Sequence, residues 1–195
     1  MHDLKLSAVS ALGASGGPRR FGRDGEPQVR LVERFPCRVW EVAALDARDS
    51  AAAAAFSALM GVAPPPPGMS AQANGADILS IGPNRWAIVS SAAIALEGDA
   101  LALTDLSAAR SCFVVSGARA EQVLRKGTSV DLHPSALPEG AVVATRLGHV
   151  AVTLWRGDRG EFRMLVARSF ARAAWDWLIH AAEEYGGRID AAAGD

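Results

Sequence analysis

Histidine, cysteine and paired carboxylates are the groups from which most chains build catalysis, and here they are few and scattered. The four histidines, His2, His133, His149 and His180, form no HxxxH or HxH pair, so no two imidazoles are set on one face to share a metal. His149 falls in a hairpin turn and His180 on the outer part of the last helix, where solvated imidazoles are expected. Cys37 and Cys112 open the apolar runs CRVWEV and CFVVSG and read as buried structural thiols. There is no GxGxxG fingerprint, and KGTS at Lys126 follows a helix instead of opening one, so no positive helix end faces a phosphate. Asp105 and Asp131 stand at loop boundaries, where aspartate caps backbone N–H groups. The RGD at Arg156–Asp158 is a chance match at a hairpin tip. These readings predict no catalytic, cofactor-binding or metal-binding residue in this chain.

Composition narrows the partners. Twenty basic and 21 acidic residues leave a net charge of −1 over 195 residues, which removes the electrostatic case for a dedicated nucleic-acid or anionic-membrane binder. With 50% apolar and 21% charged residues the chain reads as an ordinary globular protein. Asp3 and Lys5 interrupt the apolar N-terminal positions, so no secretory core is expected, and two cysteines fit a reducing, cytoplasmic setting.

The elements follow from periodicity and punctuation. GASGGPRRFGRDGEP, from Gly13 to Pro27, predicts a flexible arm within residues 1–28. Period-two patterning predicts strands around Val29–Phe35 and Arg38–Leu45. A helix N-capped by Asp46, with Asp49 in its first turn and Ala52, Phe56, Leu59 and Met60 on one face, ends at Gly61. APPPPGMSAQANG predicts an irregular loop, and Asp77–Ile81 with Arg85–Ser90 a hairpin across GPN. Strand Ser111–Ser116, helix Ala118–Lys126, hairpin Ala141–Leu147 with Val150–Trp155, strand Phe162–Ala167 and a helix from Ser169 to Tyr185 repeat that order. The reading is an α+β fold of two related βαββ-type halves, 29–103 and 104–187, then a tail over 188–195. Their mixed sheets are covered by helices and bury apolar faces against each other.

Three tryptophans gather in the second half, Trp155, Trp175 and Trp177. Trp177 is placed in the core with Phe170, Ala174, Leu178 and Ala181. At roughly 100° per residue Trp175 then points about 160° away, so it is expected either on a partner surface or under a neighbouring loop.

The segments DLSAAR at Asp105, KGTSVDLHPSALPEGAVVATRLGHVAVTLWR at Lys126 and VARSFARAAWDWL at Val166 resemble the gamma subunit of heterotetrameric sarcosine oxidase. IGPNRWAIV at Ile81 is similar to a hairpin of the folate-binding T-protein superfamily. The resemblance implies a T-protein-like fold and a non-catalytic assembly subunit that partners alpha, beta and delta chains. FAD, FMN, NAD, tetrahydrofolate and zinc would reside in those partners, and the complex would oxidatively demethylate sarcosine to glycine with hydrogen peroxide and methylene-tetrahydrofolate. In that setting Asp131, His133, Arg146 and Arg168 either orient loops or pair with acidic groups across a subunit interface, or serve as internal caps and salt bridges. Two other readings stand beside it, a free-standing folate-binding aminomethyltransferase-like protein and a scaffold module without a flavoenzyme partner.

Overall fold

A computed structural model describes residues 9–46, 50–94, 96–97 and 100–191. The elements are β1 (Arg19–Phe21), β2 (Val29–Arg34), β3 (Arg38–Ala43), α1 (Ala52–Met60), β4 (Ser70–Ala73), β5 (Ala76–Gly82) and β6 (Arg85–Ser90). They continue with β7 (Ala102–Asp105), β8 (Arg110–Ser116), α2 (Ala120–Arg125), β9 (Val142–Leu147), β10 (Val150–Arg156), β11 (Phe162–Ala167), α3 (Ala171–Ala182) and β12 (Gly187–Ile189). One sheet runs β1-β12-β2-β8-β11-β10-β9 and the other β4-β5-β6-β3-β7. Parallel pairing occurs between β12 and β2, and the remaining ladders are antiparallel.

Strand alternation explains the layering, because the long strands are apolar on both faces. In the five-stranded sheet Val42, Ile78, Trp86 and Ile88 pack with Phe56 and Met60 of α1, and the Phe56 and Trp86 rings lie 4.5 Å apart. The opposite face presents Val39, Leu79, Ala87 and Val89 to Cys112, Trp155 and Leu165 of the seven-stranded sheet. That larger sheet turns Leu31, Phe113, Leu154 and Met164 outward onto α2 and α3. Four layers result, with α1 outside the small sheet and α2 with α3 outside the large one.

The α+β class and the two apposed sheets agree with expectation, while several boundaries move. The two sequence halves are not spatial halves: β2 joins the sheet of the later segment, and β7 returns to the sheet of the earlier one. The described part of the arm is ordered, because β1 pairs with β12 and the Arg23 amide donates to the Glu183 carbonyl at 2.8 Å. The tail likewise begins in β12, parallel to β2. Within the proline-rich stretch, Ser70–Ala73 forms β4 on the edge beside β5. Helix α1 starts at Ala52 with Ala51 as N-cap, so Asp46 lies outside it; Asp49 is not among the described residues.

The last helix corrects the tryptophan assignment. Its buried face is Ala171, Ala174, Trp175, Leu178, Ala181 and Ala182, a 3-4 spacing centred on Trp175. Trp175 is 0% exposed and its ring meets Phe113 at 5.0 Å, whereas Phe170 is 55% exposed. Phe170 belongs to a 3₁₀ turn over Arg168–Phe170, so it does not share the phase of the helix behind it. Trp177 is half-buried and closes over the contact where the Gly148 amide donates to the Gly127 carbonyl at 2.8 Å. A Cβ at Gly127 would stand 2.5 Å from that indole, which ties glycine to the position.

Trp175→Ala therefore opens a core cavity and is expected to cost about 3–5 kcal/mol in urea unfolding with an unchanged m-value. A cost under about 1 kcal/mol would mean that the helix buries a different face.

Candidate functional site

A charged residue inside an apolar strand demands a partner of opposite sign, because desolvation is not recovered otherwise. Asp77 is such a residue, next to the β5 run Ile78–Leu79. Alternation sends Ala76 and Ile78 toward α1 and turns Asp77 with Leu79 toward the seven-stranded sheet. There the Arg34 Nη1 of β2 donates to Asp77 Oδ2 at 2.7 Å. The Arg163 Nη1 of β11 donates to both carboxylate oxygens at 2.8 Å. Gln72 Nε2 adds a bond to Oδ1 at 3.1 Å. Glu161 balances the second guanidinium, with its Oε1 accepting from Arg163 Nε at 2.9 Å and Nη2 at 2.7 Å. Glycine at position 157 makes room for this, since a Cβ there would lie 2.4 Å from Glu161 Oε1.

Asp77 is 4% exposed and Arg34 5%, so water cannot substitute for a lost partner. Burial works against the Arg163 charge, but Asp77 and Glu161 outweigh it and the guanidinium pKa stays raised. Both Asp77 oxygens are occupied by guanidinium donors from the other sheet, and the network holds the two sheets together.

A second buried carboxylate, Glu33 on β2, accepts from Ser10 Oγ at 2.6 Å. Its pKa is raised by burial, against the lowering effects of the Ser10 and Ala11 hydrogen bonds and the Arg168 charge. Arg168 is itself engaged, donating from Nη2 to the Val9 carbonyl at 2.6 Å.

The residues singled out from sequence do not converge on one site. Asp131 Oδ1 accepts from the His133 amide at 3.0 Å, the capping geometry expected of it, and His133 Nδ1 lies 2.7 Å from Ser135 Oγ. Asp105 caps in the same way, its Oδ1 accepting from the Ser107 amide at 2.8 Å. The loop carrying Asp131 and His133 is anchored by buried Leu132 and Leu137 and by Arg156 Nη1, which donates to the Leu132 carbonyl at 3.0 Å. Arg156 thus has a structural task, and its guanidinium also lies 5.0 Å from the Phe162 ring centroid. Arg146 is exposed on the edge strand β9, with no side-chain ion pair among the described residues. Trp175 is part of the core and cannot be a surface contact. Among the described residues no cluster of three or more His, Cys, Asp or Glu side chains is arranged to hold a metal.

Sequence reading missed the Arg34–Asp77–Arg163–Glu161 network, although its signal was present as single charges set inside VRLVER, ADILSIG and EFRMLVA. Pairing them required the sheet stacking. Asp77→Ala leaves two guanidiniums without their shared anion and is expected to cost about 3–5 kcal/mol in unfolding free energy. For Glu33 the sign is opposite to that of a stabilised carboxylate. A raised folded-state pKa means that stability is greatest below the ordinary glutamate value and is lost as pH rises through the raised one. Glu33→Gln should therefore gain on the wild type in urea midpoint as pH rises above the ordinary glutamate value, and a difference independent of pH would contradict the raised pKa.

The profile of the sarcosine oxidase, gamma subunit family matches residues 45–184. A sarcosine oxidase subunit gamma from Arthrobacter sp is 32% identical over 146 residues, covering 70% of this chain and 72% of that one. Another, from Corynebacterium sp. (strain P-1), is 34% identical over 109 residues, covering 56% and 54% of the two chains. Among solved structures, the heterotetrameric sarcosine oxidase from Corynebacterium sp. U-96 in complex with pyrrole 2-carboxylate contains a chain with TM-score 0.70 and 28% identity, covering 89% of this chain and 90% of that one. The glycine cleavage system aminomethyltransferase T from Bartonella henselae matches with TM-score 0.57 at 14% identity over 78% of this chain and 46% of that one, a likeness of fold alone. The two sheets, the helices that flank them and the sequence between residues 45 and 184 place this chain in the sarcosine oxidase gamma subunit family.

Proposed function

We propose that the chain is the non-catalytic assembly subunit of a heterotetrameric sarcosine oxidase-like complex. The observation that carries this reading is the near end-to-end match, 89% of this chain on 90% of the other, to a chain of such a complex. The charges of the Asp77 network support it, because they are paired with one another across the two sheets. In this reading alpha, beta and delta subunits surround the chain and carry FAD, FMN, NAD, the tetrahydrofolate site and zinc. The assembly oxidatively demethylates sarcosine to glycine, reduces oxygen to hydrogen peroxide and passes the one-carbon unit to tetrahydrofolate as the methylene derivative.

The gamma chain contributes a rigid surface. Asp131, His133 and Arg146, exposed around the rim of the large sheet, are its contacts with the partners, whereas Arg168 serves the fold through Val9. No helix among the described residues is long and apolar enough to cross a membrane. We place the complex in the cytoplasm, a reducing setting that suits two free cysteines.

Affinity purification of the tagged chain from its native cells tests the reading directly. The expected result is a yellow eluate with flavin absorbance, containing a large nucleotide-binding subunit and a flavoprotein oxidase subunit. A colourless, solitary chain would refute it. Arg146→Glu is expected to lower the yield of co-purified flavoprotein while leaving the circular dichroism and unfolding midpoint of the isolated chain unchanged.

A further inference from the structure

Both cysteines of the chain meet at the seam between the sheets. The segment Phe35–Cys37 carries the chain from β2 in the large sheet to β3 in the small one, and it brings the Cys37 thiol into hydrogen-bond contact with Cys112 on β8. Cys112 is fully buried in the intersheet core, where Cys37 packs against the same cluster. Cys37 is half-buried and lines an open cleft of about 530 Å³. The same cleft is lined by Arg34, Arg38, Arg110 and Arg168 and by Glu33 and Asp105. One sulfur is thus reachable from solvent, the other is not, and the two touch.

We propose that Cys37 and Cys112 form an oxidation site, a dithiol that a peroxide converts into an intramolecular disulfide linking the two sheets. The sulfur of Cys37 attacks one peroxide oxygen, the O–O bond breaks, and the departing hydroxide takes up the thiol proton as water, leaving Cys37 as a sulfenic acid. The sulfur of Cys112 then attacks that of Cys37, the S–O bond breaks, and the second hydroxide leaves as water with the Cys112 proton. Hydrogen peroxide is reduced to two waters and two thiols are oxidised to one disulfide.

The roles of the two sulfurs follow from their surroundings. The hydrogen bond from Cys112 lowers the Cys37 pKa against the effect of burial, with the Arg34 charge lowering it and the Asp77 and Glu33 charges raising it. The same hydrogen bond together with complete burial raises Cys112 well above an ordinary thiol. Cys37, which lines the cleft, is the attacking sulfur, and the fully buried Cys112 is the resolving one. The peroxide-forming reaction proposed above would be a nearby source of oxidant, but the chemistry of the pair does not depend on that reading.

The test uses the full chain, reduced, freed of reductant and exposed to hydrogen peroxide at neutral pH, then unfolded in an alkylating reagent and analysed by intact mass and peptide mapping. The expected product is two hydrogens lighter than the reduced chain, takes up no alkyl group, and yields a cross-linked peptide joining Cys37 to Cys112. In Cys112→Ser, a sulfenic-acid trap should label Cys37 alone. Recovery of both alkylated thiols, oxidation of Cys37 beyond the sulfenic acid with Cys112 free, or a disulfide between two chains would each overturn the proposal. The wild-type peptide map decides the matter even where the variant fails to fold.

Discussion

Asp77 is the point on which the two sheets are registered. It projects from the small sheet and is gripped by guanidiniums from two different strands of the large one, Arg34 of β2 and Arg163 of β11. The apolar contact between the sheets is modest beside the outer cores, resting mainly on Val39, Leu79, Ala87, Val89, Cys112, Trp155 and Leu165. A surface of small and branched side chains would tolerate sliding, whereas a carboxylate shared by two fixed guanidiniums accepts one geometry. Buried ion pairs gain little net stability over apolar side chains, so the contribution argued for this network is orientation.

Chain routing reinforces that constraint. The polypeptide leaves the large sheet at Arg34, enters the small one at Arg38, and crosses back between Asp105 of β7 and Arg110 of β8. The small sheet is therefore one continuous insertion between β2 and β8, held to the large sheet by two short connections, 35–37 and 106–109. The joint between them also carries Cys37 and Cys112, so the ionic and thiol contacts occupy neighbouring places in the same seam. A body tied together in this way suits a subunit whose contribution to an enzyme is a fixed shape, with its polar groups spent internally.

Much of this was legible in the sequence where signals are local. The hairpin across Gly82–Asn84 and the one across Gly148–His149 formed at the expected places, with Asn84 at φ 48° and Gly148 at φ 60° supplying the left-handed turn conformations. The short strands were not legible: RRF, SAQA and ALTD at sheet edges and GRI between β1 and β2 are three or four residues long, too short to carry a strand pattern, so only their neighbours make them strands. Trp175 was misplaced because the 3₁₀ turn before α3 broke the helical phase that Phe170 was assumed to share. The Asp77 network was illegible for a different reason. Its charges stand 43 and 86 residues apart in sequence, and nothing local announces their meeting. Family membership came from the extended matches in the second half, a kind of signal that composition and periodicity do not contain.

Native-state hydrogen exchange of the isolated chain tests the central claim, that the two sheets form one cooperative body registered by Asp77. The account predicts that the most protected amides of β5 and β6 open with the same free energy as those of β8 and β11. A small sheet that exchanges through its own opening, well below the free energy of the large one, would contradict it.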